Sequence, residues 1–185
     1  MPLTFRPRDW QRQIGNEMFR CSTNPQHIQL DSLNEALASG ALWWATDLPK
    51  DALQVMVENS LCFGLYKVSE AQSPDQTGEL SMIGLSRVIT DHVTFGWLTD
   101  VYVLEEHRRK GLGRFMMECL NEALENLVHL RRLLILSRDD GAIRIYKSTL
   151  YAKDWQPTEG VKLLERVGSS TKPALVESSI TGNQT

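Results

Sequence analysis

The run from Asp100 to Leu120, DVYVLEEHRRKGLGRFMMECL, constrains the fold more than any other part of the chain. A β-branched, apolar segment ends at Leu104, three cations follow at Arg108, Arg109 and Lys110, and Gly111 and Gly113 come next. Beyond them Met116, Cys119 or Leu120, Ala123 and Leu127 recur at helical spacing. The first part has the residue types of a strand, the last those of an amphipathic helix, and the glycines let the backbone turn between them. A helix that begins this way presents unpaired N–H groups and the positive end of its dipole at the loop, which suits an anion. Arg108, Lys110 and Arg114 add charge-assisted donors. The chemistry implied is a phosphate or pyrophosphate cradle. It is not a nucleotide P-loop, because the Gly-Lys-Ser/Thr ending at the required spacing is missing.

The rest of the chain fits around this junction. Residues 1–25 carry mixed charge and two early prolines and read as an irregular lead-in. HIQLDSLNEALASG reads as a short strand running into a helix, with Asp31 or Ser32 as its cap and Gly40 just past its end. LPKDALQVMVENS predicts a second helix behind Pro49. LCFGLYKV and LSMIGLSRVIT predict a hairpin with a long polar loop, and WLTDVYVL a third strand beside it. RRLLILS is a continuous apolar run, as expected of a strand covered on both faces. DDGAIRIYKSTLY predicts a short helix, WQPTEGVKLLERVG a closing strand, and residues 169–185 a disordered tail. The fold class expected is α/β, with a single mixed, mostly antiparallel sheet flanked by helices over residues 26–168.

Composition narrows the function. The formal net charge is −3, so the positive charge near residue 110 is local rather than part of a field that recruits nucleic acid or a membrane. Apolar residues make up 42% and charged ones 23%, the balance of a globular domain. No apolar run approaches the length of a membrane span, and the N-terminus lacks the apolar core of a signal peptide. Three widely spaced cysteines argue against a disulfide framework and for a reducing, cytoplasmic setting, with the nucleus not excluded. No group of side chains has metal-ligand spacing.

The segment DVYVLEEHRRKGLGRFMMECL resembles the acyl-CoA-binding core of the GNAT superfamily of N-acetyltransferases: a strand followed by Arg/Gln-x-x-Gly-x-Gly/Ala at a helix start, here Arg108, Gly111 and Gly113. WWATDLP, NSLCFGLY, IGLSRVITDHVTFGWLTD and LRRLLILSRD resemble one subgroup of small, mostly uncharacterised members, over residues 25–168 in all. The resemblance implies acetyl-CoA as co-substrate, with its pyrophosphate on the loop of Arg108, Arg109, Lys110, Gly111, Gly113 and Arg114. It implies a splayed strand pair that holds the acyl-CoA, with the pantetheine arm against the backbone of Val101 and Val103. A backbone N–H there would polarise the thioester carbonyl, and an amine would attack directly.

Two proton tasks follow from that chemistry. Tyr146, in IRIYKSTLY, falls where the family has a helix with a catalytic tyrosine, and is the expected donor to the leaving thiolate. The family's Gly-Phe pair is replaced by Leu150-Tyr151 and the spacing is long, which keeps Tyr151 eligible. Asp100, where relatives often carry an acid, is the candidate base. Strand alternation puts it on one face with Leu98 and Tyr102, and an acid in an apolar strand is either functional or paired. Trp43, Trp44 and Phe63 are the candidate apolar wall for the acceptor, a small-molecule amine or a protein amine. A homodimer is compatible with these features. Two other readings stay open: a module that holds CoA without turnover or an acyl-CoA lyase on the same scaffold, and a nuclear interaction protein whose basic patch is only a targeting signal.

Overall fold

The computed structural model describes residues 6–40, 42, 44–69, 78–156, 159–162, 164 and 166. Its centre is one six-stranded sheet whose strands lie side by side in chain order. These are β1 (Asp9–Ile14), β2 (Glu17–Ser22), β3 (Leu61–Val68), β4 (Leu80–Thr90), β5 (Phe95–Val103) and β6 (Arg132–Ile135). The first five run antiparallel, and β6 lies parallel to β5. The helices α1 (Leu30–Ala38) and α2 (Lys50–Glu58) pack on one face, while α3 (Leu112–Glu125) and α4 (Asp140–Thr149) pack on the other. This is the α/β arrangement expected from the sequence.

Each face has its own core. Under α3, Leu112, Met116, Met117 and Leu120 are fully buried against Phe19, Phe63, Leu65 and Val88 of the sheet. Burying a side chain of that size contributes about 1.5–3 kcal/mol, so this helix is fixed by packing rather than by propensity. Under α1 and α2, Leu33, Leu37, Leu53 and Val57 meet Cys62, Tyr66, Leu85 and Tyr102.

Three local expectations are corrected. Residues 9–22 form the β1–β2 hairpin, not an irregular lead-in, closed by Gly15 at φ 60 and Asn16. Its alternation is hidden because Arg12 occupies an inward position, where its guanidinium lies 4.3 Å from the centre of the Phe115 ring and pairs with Glu118. Pro25–His27 is a 3-10 turn capped by the Asn24 side chain, not a strand, and neither Asp31 nor Ser32 caps α1. Gln29 stands at that helix start and turns its amide to β4, donating to the Leu80 carbonyl and accepting from Met82 N–H. The described residues of the expected closing strand, between 155 and 166, carry no strand. The expected tail, residues 169–185, lies outside the described residues.

Candidate active site

The sheet is incomplete beside β5. Pairing with β6 runs from Phe95↔Arg132 to Leu98↔Ile135 and stops there, while β5 continues to Val103. Residues 99–103 therefore have β4 on one side and an opening on the other. Leu104 N–H donates to the Ile83 carbonyl on β4, so backbone alternation turns the polar groups of Val103 toward the opening. The Val103 carbonyl accepts there from Arg108 Nε at 2.9 Å.

At the mouth of that opening β5 is kinked. Leu85 pairs with Tyr102 and Arg87 with Thr99, so Ser86 alone faces both Asp100 and Val101. This is a β-bulge, and Asp100 takes the left-handed backbone at φ 49 that an aspartate tolerates better than most residues. The extra residue breaks the alternation. Leu98 joins the core under α3, whereas Tyr102 joins the core under α1 and α2, so the expected shared face of Leu98, Asp100 and Tyr102 does not exist. Asp100 goes with Tyr102. Its carboxylate is 5% exposed and accepts from Arg87 Nε at 2.7 Å, Trp44 Nε1 at 3.0 Å and Thr99 Oγ1 at 3.2 Å. Arg87 Nη1 donates in turn to Ser60 Oγ at 3.0 Å.

The opening leads to the loop before α3. Gly111, at φ 78, makes the left-handed turn that starts the helix, and Arg109 is left-handed as well at φ 62. A Cβ added at Gly111 or Gly113 meets no atom within 4 Å, so the first turn of α3 faces open space. That fits an anion seated on the loop amides. Arg108, Arg109 and Arg114 are exposed around it, with Arg114 Nη2 donating to Ser148 Oγ on α4 at 3.1 Å. Lys110 is placed differently. Its ammonium binds Glu17 Oε2 at 2.6 Å and lies 5.9 Å from the centre of the Phe19 ring. Lys67 holds the other oxygen of Glu17 at 2.7 Å, and the two ammoniums depress that carboxyl to about 2.

The two tyrosines are separated by burial. Tyr146 is 8% exposed on the inner side of α4, and burial, with a smaller push from Asp139, raises its phenol to about 12. It lines a cleft of about 450 Å3 with Leu133, Leu134 and Ile135 of β6 and Ile143 of α4. Tyr151 follows the end of α4 in a left-handed conformation and is 73% exposed. Of the expected acceptor wall, Phe63 is corrected: it is wholly buried in the core under α3 and stacked on Trp10, where no acceptor reaches it. Trp44 stands in the α1–α2 connection against β5, and Trp43 lies outside the described residues. Cys119 is buried among core residues of α3, and burial pushes the Cys62 thiol up to about 12. Among the described residues no three His, Cys, Asp or Glu side chains converge as a metal site, and no helix is long and apolar enough to cross a membrane.

Arg87, Ser60 and Glu17 also belong to this region, and no local motif marks them as a group. Arg87 carried the one available signal: it is a cation in the middle of the apolar strand LSMIGLSRVIT and, like Asp100, needs a partner.

Residues 62–150 match the profile described as the Acetyltransferase (GNAT) family. A protein of Gibberella zeae named "Putative acetyltransferase FG08082" is 43% identical over 164 residues, covering 85% of this chain and 89% of that one. A crystal structure of a GNAT-family protein from Xanthomonas campestris pv. campestris superposes with a TM-score of 0.60 at 27% identity, over 81% of this chain and 93% of the other. A Staphylococcus aureus protein described as a probable acetyltransferase shares the fold, with a TM-score of 0.54 at 19% identity, over 82% of this chain and 99% of that one.

Proposed function

Since the chain belongs to the acetyltransferase (GNAT) family, we propose that it moves an acetyl group from acetyl-CoA to a primary amine by direct attack, without a covalent enzyme intermediate. The acceptor class is a small-molecule amine, a lysine side chain or a protein N-terminus. The observation that carries this reading is the continuity of two features: β5 and β6 part after Leu98 and Ile135, and the gap leads to the glycine-built start of α3. One supplies unpaired strand backbone, the other unpaired helix N–H groups, as a ligand with an amide-bearing arm and a pyrophosphate requires.

The bound donor supplies an activated acyl carbon. The loop amides of residues 109–114 hold the pyrophosphate, with Arg108, Arg109 and Arg114 around it. The backbone of Val101 and Val103 lines the arm, and a β5 N–H at the bulge stabilises negative charge on the thioester oxygen as the amine adds. Tyr146 remains a protonated phenol at neutral pH, since its hydroxyl is held near 12, and gives that proton to the departing thiolate. The amine arrives neutral, having lost its proton to water. The three unpaired thiols suit a reducing, cytoplasmic compartment.

The test is a panel of primary amines with acetyl-CoA, scored by free thiol and by the mass of the product. Thiol release that depends on one amine class supports the reading. Tight CoA binding with no transfer to small amines, peptides or protein N-termini overturns it in favour of a non-catalytic CoA module.

A further inference from the structure

Asp100 is the most heavily engaged side chain near the opening, and its partners come from separate parts of the chain. Arg87 reaches it from β4, Trp44 from the α1–α2 connection and Thr99 from its own strand. Arg87 is itself held by Ser60 at the entry to β3. Three donors fill most of the acceptor capacity of a carboxylate, and at 5% exposure an incoming amine has no open approach to it. These partners fix something unusual. Asp100 is the left-handed residue of the bulge, a conformation that costs a non-glycine residue some free energy and that the surrounding contacts hold in place. The bulge lies immediately past Leu98, the last β5 residue paired with β6.

We infer that Asp100 is a positioning residue: clamped by Arg87 and Trp44, it holds the β5 bulge so that the backbone N–H beside it points at the acyl carbonyl, and it does not take the proton of the amine. The inference rests on the acetyl-transfer reading for its chemistry and on the clamp for its geometry. The clamp also links the acceptor side to the donor side, because Trp44 belongs to the segment between α1 and α2 while the bulge borders the opening beside β6.

Three substitutions separate a clamp from a base. Asp100→Asn keeps a side-chain acceptor and a residue at ease in the left-handed region but removes the ion pair. Arg87→Met removes it from the other side, and Trp44→Phe deletes the indole donor while keeping an aromatic ring at the position. If the carboxylate positions the bulge, all three lower kcat, by about 10- to 100-fold for the first two, in line with a misplaced oxyanion donor. KM for acetyl-CoA stays within a few-fold. The double variant Asp100→Asn/Arg87→Met is no slower than the worse single one, since both cut the same unit. The acidic limb of the pH–kcat profile survives in Asp100→Asn. If that limb vanishes in Asp100→Asn while Arg87→Met and Trp44→Phe keep wild-type kcat, Asp100 is the base and the inference falls.

Two readouts need no acceptor. The clamp variants lose the affinity difference between acetyl-CoA and CoA while binding CoA itself as the wild type does. In the ligand-free protein, amide hydrogen exchange at residues 99–101 accelerates in Trp44→Phe and Asp100→Asn. Failure of the wild type to transfer acetyl to any amine, with both effects present, defeats the proposed function and leaves the clamp standing. Unchanged exchange and an unchanged affinity difference defeat the clamp whatever the reaction is.

Discussion

Lys110 Nζ lies 2.6 Å from Glu17 Oε2, joining the loop before α3 to the β1–β2 hairpin across 93 positions of sequence. Lys67 binds the other oxygen, so one carboxylate bridges two ammoniums. Glu17→Gln leaves both cations facing an uncharged amide and is expected to lower the thermal midpoint at neutral pH. The sign of the pH dependence follows from the depressed carboxyl: its contribution is fully present above the ordinary value of 4.5 and fades as pH falls toward about 2. Denaturant melts of both proteins should differ by a constant amount from pH 7 to 5 and converge below 4.5. A gap as large at pH 2.5 as at pH 7 would show that the effect is not the ion pair.

The two glycines of the loop answer to different demands. Gly111 needs its left-handed backbone, so Gly111→Ala costs roughly 1–2 kcal/mol in stability. Gly113 is helical with open space above it, so Gly113→Val folds with little change in stability, while the added methyls fill the approach to the amides. CoA should therefore raise the thermal midpoint of Gly111→Ala but not that of Gly113→Val. Wild-type CoA binding by Gly113→Val removes the loop as the cradle.

The exposed cations act at a distance from the acyl carbon. Arg109→Ala and Arg114→Ala should raise KM for acetyl-CoA with kcat nearly unchanged, because pyrophosphate binding is shared by ground and transition states. A pantetheine thioester lacking the pyrophosphate should not distinguish these variants from the wild type. Lys110→Ala should show more in the thermal midpoint than in KM, since its charge is already engaged by Glu17.

Tyr146→Phe keeps the ring among its core neighbours and removes only the hydroxyl. Stability and CoA affinity should hardly change, and kcat should fall by about 100-fold or more, the usual scale for losing a positioned proton donor. Tyr151→Phe, altering an exposed ring beyond α4, should be silent. With a phenol held near 12, wild-type kcat should show no alkaline decline from Tyr146 up to about pH 10. Loss of rate in Tyr151→Phe instead would move the donor one turn along the chain.

What could be read in advance was local. The junction at Gly111, the β3–β4 hairpin and the helix carrying Tyr146 each announce themselves through neighbours a few residues apart. Asp100 shows where that information ends. Its alternation with Leu98 and Tyr102 presumed a regular strand, and the bulge that breaks the rule is held by Trp44, 56 residues away, and by Arg87 on the adjacent strand. Phe63 fails for a related reason: an aromatic in an apolar strand has the same local signature on either face, and only the packed sheet decides which. The β1–β2 hairpin is masked because Arg12 lies with its guanidinium against Phe115, giving a polar letter to an inward position.

The bond from Arg108 Nε to the Val103 carbonyl gives the exposed edge of β5 a stand-in partner from the chain itself. Where a guest donor takes the guanidinium's place on that carbonyl, its arrival is a trade of one hydrogen bond for another and yields little net heat at that point. The evicted group is not lost. It is set loose beside the start of α3, where a guest bearing phosphates meets it, so the molecule that springs the latch also becomes its new anchor. A guest with the arm but no phosphates springs the same latch and gains nothing from it.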